Sequence, residues 1–90
     1  MAVRIEYKAS VARDLRRLGR GEAVQLLERI ERALASGGRE GDALGGEFRG
    51  LYRLRVGDYR VIYTRTDDGY LVLRIGHRRE VYRKGRPEGS

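Results

Sequence analysis

Between Leu51 and Ile75 the apolar pattern has period two three times over, with only two short breaks. Tyr52, Leu54 and Val56 alternate with Leu51, Arg53 and Arg55, and Gly57-Asp58 ends the run. Tyr59, Val61 and Tyr63 alternate with Arg60, Ile62 and Thr64 before Asp67-Asp68-Gly69, and Tyr70 to Ile75 is the third run. Alternation of this kind sends successive side chains to opposite faces of a strand. Short Gly/Asp breaks between such runs are hairpin signals, so the three strands are antiparallel neighbours. Val61-Ile62-Tyr63 and Leu71-Val72-Leu73 are apolar on both faces, as strands in the middle of a sheet are.

Upstream the period changes. Val3, Ile5 and Tyr7 alternate with Arg4 and Glu6, which predicts a short strand. Ser10 is the expected N-cap of a helix carrying Val11, Leu15 and Leu18 on one face, and Gly19 and Gly21 end it. A second helix is predicted from about Glu22 to Ala35, with an apolar stripe that includes Leu26, Ile30 and Leu34. A Glu28–Arg32 pair is expected on its wet face. Residues 37–46 hold five glycines and read as a loop, with Leu44 pinned to the core. The expected fold is α+β, in the order β-α-α-β-β-β, with a helical hairpin packed on one face of a twisted, mainly antiparallel sheet.

Composition narrows the functions open to such a fold. A chain of 90 residues is expected to be one domain over 1–90 and to bury only ~60–65% of its unfolded surface. With no Cys and a single His, neither a disulfide framework nor a Cys/His zinc site is available, and no metal or other cofactor is expected. Absence of a long apolar run and of a signal-peptide pattern points to a cytoplasmic protein with no membrane partner. The net charge is +7, and only Lys8 and Lys84 among the basic residues are not Arg. Residues 46–90 carry 11 basic and 6 acidic groups against 9 and 7 in residues 1–45, so the positive field lies mainly on the strand half. Arginine's planar fork suits phosphate oxygens and base stacking, and nucleic acid is the expected anionic partner.

Arg53 and Arg55 project from one face of their strand, away from the helices, and Arg60 follows just across the hairpin. Arg74 and Arg78 share parity at the end of the third run, within or just before the segment Gly76-His77-Arg78-Arg79-Glu80-Val81-Tyr82. Exposed strand arginines are common, and Glu47, Asp58 and Glu80 offer surface partners worth about 0–1 kcal/mol each. Tyr82 has a polar setting unlike that of a core tyrosine, whereas Tyr7, Tyr52, Tyr59 and Tyr63 are expected in the core. His77 is the one side chain here whose ordinary pKa allows proton exchange near neutrality.

Leu51-Tyr52-Arg53-Leu54-Arg55, Asp58-Tyr59-Arg60-Val61-Ile62-Tyr63 and Gly76-His77-Arg78-Arg79-Glu80-Val81-Tyr82, in this order and spacing, resemble the RelE/ParE superfamily of toxin–antitoxin toxins, and within it the RelE-like mRNA interferases. That resemblance implies a toxin of a type II toxin–antitoxin system that enters the ribosomal A site and cuts the message there. It implies catalytic roles for Arg53, Arg55, Arg60, Arg78 and Tyr82: Arg53 and Arg55 line the active face, and Arg60 and Arg78 neutralise the scissile phosphate. Tyr82 stacks on the message or transfers a proton. Arg49, Arg74, Arg79, Arg83 and Lys84 are the expected further RNA contacts. The implied partners are a cognate antitoxin, in a toxin–antitoxin hetero-oligomer, together with the ribosome and mRNA.

Two departures from the family matter. Some members have lysines where this chain has Arg53 and Arg55, and an arginine does not give up its proton, so either His77 or Tyr82 takes the proton or the 2′-hydroxyl is activated mainly by neutralisation of the phosphate. Many members also carry an additional C-terminal helix; Arg86-Pro87-Glu88-Gly89-Ser90 is not expected to form one. Two other functions remain open on sequence: a ParE-like inhibitor of DNA gyrase, which generally lacks this arginine and tyrosine set, and an RNA- or ribosome-binding module without chemistry.

Overall fold

The computed structural model describes residues 3–37 and 41–77. Its elements are β1 (Arg4–Tyr7), α1 (Ala9–Arg16), α2 (Arg20–Ala35), β2 (Asp42–Ala43), a 3₁₀ turn (Gly46–Phe48), β3 (Tyr52–Val56), β4 (Tyr59–Thr66) and β5 (Gly69–His77). The five strands lie in the order β1-β5-β4-β3-β2. β1 runs parallel to β5, and every other pairing is antiparallel. The predicted α+β architecture is therefore the observed one, with β4 and β5 as interior strands.

The core forms where the helical stripe meets one face of the pleat. Leu26, Ile30 and Leu34 of α2 recur every four residues on one helix face, and with Val11 of α1 they are buried against the sheet. Opposite them Leu54, Val61 and Ile75 stand in one register row across β3, β4 and β5. Tyr52 and Tyr63 occupy the next row, stacked at 5.4 Å between ring centroids, and Tyr70 meets Tyr63 edge-on at 5.5 Å. Glycine is required at two positions, one in a turn and one where two strands meet. Gly57 has φ +61°, which lets the β3–β4 hairpin turn with glycine first rather than second. Gly69 lies so close to the Arg4 backbone that a Cβ there would collide with it.

Four local readings change. Ser10 is not the N-cap of α1: Lys8 holds that position, and the Ser10 hydroxyl donates to the Leu73 carbonyl at 2.7 Å. The reason is that β1 ends at the Tyr7–Val72 pair, after which α1 takes over the exposed edge of β5. One turn beyond Ser10, Asp14 accepts the Ile75 N–H at 2.9 Å and pairs with Arg74 at 3.2 Å. Second, the glycine-rich stretch contains β2, which pairs with Tyr52 and Arg53. Leu44 is half-buried but is not among the side chains packed on the core, and its N–H donates to the Leu51 carbonyl at 3.0 Å. Third, α2 begins at Arg20 and takes Gly21 inside it. Fourth, no ion pair joins Glu28 and Arg32; Glu31 instead accepts the Tyr7 hydroxyl at 3.0 Å.

Among the described residues no helix is long and apolar enough to cross a membrane, and no group of three or more His, Cys, Asp or Glu side chains is placed to hold a metal ion.

Candidate active face

The helices cover one face of the sheet and leave the other to the side chains of opposite parity. Arg55 and Arg60 are direct cross-strand partners on that open face, at the hairpin end of β3 and β4. Directly opposed residues of an antiparallel pair have Cβ atoms about 4.5–5.5 Å apart, so the two arginine side chains start from neighbouring points on this face. Gly76 follows Arg60 in the same row on β5 and adds no side chain there. The Arg60 guanidinium donates to the Gly57 and Tyr59 carbonyls at 3.1 and 3.0 Å. The turn thus holds it in place before any ligand arrives.

Arg53 stands two residues along β3 on the same face and forms a 3.3 Å ion pair with Asp42 of β2. Its neighbour in the row is Ile62, which is only 7% exposed although it lies on the face away from the helices. Arg74 completes that row by register, yet its guanidinium turns to Asp14 of α1. Arg74 is thus engaged in holding β5 to the helix layer and does not join Arg55 and Arg60. Arg49 is exposed in the turn before β3, at the far end of that strand from Arg55.

His77 is placed elsewhere. It pairs with Tyr59, whose parity is that of the core residues Val61 and Tyr63, and so it stands on the helix side of the sheet. The two rings meet edge to face at 6.1 Å, and the Tyr59 hydroxyl donates to Glu22 at 3.3 Å. Arg78, Arg79, Tyr82, Arg83 and Lys84, expected at the site from sequence, lie outside the described residues.

The tyrosines read as core are indeed packed into it, Tyr63 fully and Tyr7, Tyr52 and Tyr59 partly. Burial pushes the Tyr7 hydroxyl well above its ordinary pKa, and its hydrogen bond to the Glu31 carboxylate pushes it further. Burial raises Tyr63 as well, with a smaller contribution from Tyr70. Neither group is a proton shuttle at neutral pH. Asp14, with its two roles on β5, is the residue that sequence reasoning passed over, since its partners lie sixty residues and more away.

A helical hairpin on one face of a five-stranded, mostly antiparallel sheet is the architecture of the small α+β toxins built on the RelE/ParE fold. Residues 5–82 match the ParE toxin family of type II toxin–antitoxin systems (parDE), and the chain belongs to that family. No curated protein sequence matched. Among solved structures, the toxin–antitoxin complex RelBE2 of Mycobacterium tuberculosis is 26% identical with a TM-score of 0.76, covering 84% of this chain and 91% of that one. The archaeal RelE–RelB complex of Pyrococcus horikoshii is 27% identical with a TM-score of 0.66, covering 90% and 100%. The YoeB–YefM complex of Staphylococcus aureus shares the fold at 14% identity and a TM-score of 0.67, covering 86% and 98%.

Proposed function

We propose that this toxin is a ribosome-dependent endoribonuclease that cuts mRNA in the A site of a cytoplasmic ribosome and is restrained by a cognate antitoxin in a hetero-oligomer. The observation that carries the reading is the Arg55–Arg60 pair on the open face, with Arg60 held by two backbone carbonyls. In the reaction the 2′-oxygen of the message attacks the adjacent phosphorus and the bond to the 5′-oxygen breaks. The products are a 2′,3′-cyclic phosphate and a free 5′-hydroxyl. One proton leaves the 2′-hydroxyl and one is delivered to the 5′-oxygen, so the step needs no external reactant. Negative charge grows on the five-coordinate phosphorus, and guanidinium donors fixed beforehand stabilise that state more than the ground state.

Arg55 and Arg60 supply that field, and by family position Arg78 joins them. Tyr82 is the proposed proton-transfer or stacking group. His77 is the less favoured candidate for the proton-transfer group, because it stands on the opposite side of the sheet from Arg55 and Arg60. The ribosome supplies substrate positioning, so the toxin itself needs no deep pocket.

Cell-free translation with the purified chain, read by primer extension on the message, tests this. The wild-type protein is expected to cut at codon positions only when ribosomes are present. Arg60→Ala is expected to lose about 10²-fold in rate, the usual cost of removing one preorganised donor. Tyr82→Phe separates proton transfer, which it abolishes, from stacking, which it retains. An intact message with translation unimpaired would falsify the nuclease. The second reading is inhibition of DNA gyrase, favoured by the family's ParE identity, and a supercoiling assay reads it directly.

A further inference from the structure

Arg55 lies on the edge side of the sheet as well as on its open face. It lines, together with Arg29 and Arg32 of α2 and Ser36 at the C-terminal cap of that helix, a groove of about 420 Å³ also lined by Ala33 and Val56. Arg29, Arg32, Ala33 and Ser36 recur at i, i+3, i+4 and i+7 along α2 and its cap, so they form one stripe beside β3. Among the described residues, β2 pairs with only Tyr52 and Arg53, which leaves the hairpin end of β3 beside this groove. No carboxylate among the described residues pairs with Arg29, Arg32 or Arg55. Glu31, the nearest acid along the chain on that side of Arg32, is engaged by Tyr7. Three guanidinium groups around one concave space repel one another until an anion enters.

We propose that this groove is a phosphate-binding extension of the active face, along which single-stranded RNA leaves the sheet. From Arg60 the strand crosses to Arg55 and passes over the β3 edge, and its next phosphates lie between Arg29 and Arg32. Continuity with Arg60 favours an RNA backbone over an acidic protein segment, because Arg55 belongs to both surfaces. The adjoining groove shares Arg29, Val56 and Gly57 but brings in Glu22 and Asp58, so the positive track ends there. The inference rests on the nuclease reading, since it needs RNA on the open face, and adds to it a place where affinity and register are set away from the scissile bond.

Binding of a short single-stranded RNA carrying 2′-O-methyl groups, which cannot be cut, is measured by fluorescence anisotropy across a series of salt concentrations. Arg29→Ala/Arg32→Ala is expected to flatten the slope of log affinity against log salt by about 1.4, since each phosphate neutralised on a single strand adds roughly 0.7 to that slope. Arg29→Lys/Arg32→Lys is expected to keep the slope. The charge-matched control Arg13→Ala/Arg16→Ala, on exposed positions of α1, is expected to leave it unchanged. Equal slopes for wild type and Arg29→Ala/Arg32→Ala overturn the groove and leave the active face standing. An equal loss in the α1 control also overturns it, since net charge alone then explains the effect. A wild-type chain that binds no RNA overturns the groove but not the nuclease reading, in which the ribosome positions the message and which the cell-free cleavage assay tests separately. If the groove variant loses only its antitoxin, the surface is a protein interface and the proposal is wrong.

Discussion

Asp14 shows how much one side chain can decide. It is 8% exposed, accepts the Ile75 N–H and faces Arg74, so a buried carboxylate closes the edge that β1 leaves open. A hydrogen bond to a charged group contributes about 1.5–3 kcal/mol, and leaving a buried N–H without its acceptor has a cost of similar size. Asp14→Ala is expected to lower unfolding stability by about 2 kcal/mol, measured by urea denaturation, while Asp14→Asn, which can keep the Ile75 bond, loses less. An Asp14→Ala protein as stable as wild type would show that water replaces the carboxylate at no cost. Nothing in the sequence marks Asp14, because its meaning comes from a strand end far along the chain. Arg55 and Arg60, by contrast, are close in sequence across a hairpin, and their juxtaposition is legible from the turn.

At the level of elements, β5 is shared between two partners. Its first half pairs with β1 in parallel, and its second half is covered by Ser10 and Asp14 of α1. The register shift at Ile62/Tyr63 falls where the change of partner occurs. Parallel pairing at the start of β5 needs the Arg4 backbone close to Gly69, where there is no room for a Cβ. Gly69→Ala is expected to cost about 1–3 kcal/mol, the range for an overpacked site. Amide exchange is expected to quicken in residues 4–7, while the β3–β4 hairpin, in which β3 has no pairing with β1, keeps its protection. Uniform loss of protection across the sheet would mean instead that β1 and the hairpin open as one unit.

Across the whole molecule, the tyrosines that knit helices to sheet couple stability to alkaline pH. Tyr7 and Tyr63 keep their protons to higher pH in the fold than their ordinary value near 10, because burial opposes the phenolate. Above that value the unfolded chain has released protons that the native state still binds. Stability is therefore fully present below about pH 10 and falls as pH rises beyond it. Urea midpoints taken from neutral to strongly alkaline pH are expected to decline there, and Tyr7→Phe is expected to make the decline shallower. A flat profile in the wild type would show that these hydroxyls ionise freely in the fold.

Much of this architecture could be read before any coordinates. Period-two runs, hairpin signals and the apolar stripes at helical spacing are local patterns, and local sterics and burial turn each into one element with one buried face. They determined the helical hairpin, the antiparallel β3-β4-β5 meander, and the placing of Arg53, Arg55 and Arg60 on the face away from the core. Parity also carries over to His77, which pairs with Tyr59 on the helix side, but only the observed register showed it. Three features came from tertiary structure alone: the parallel docking of β1 on β5, the capture of Arg74 by Asp14, and the groove that joins Arg29 and Arg32 to Arg55. Each unites residues far apart in the chain. Their contacts depend on how the layers pack, and no periodicity within a segment records that.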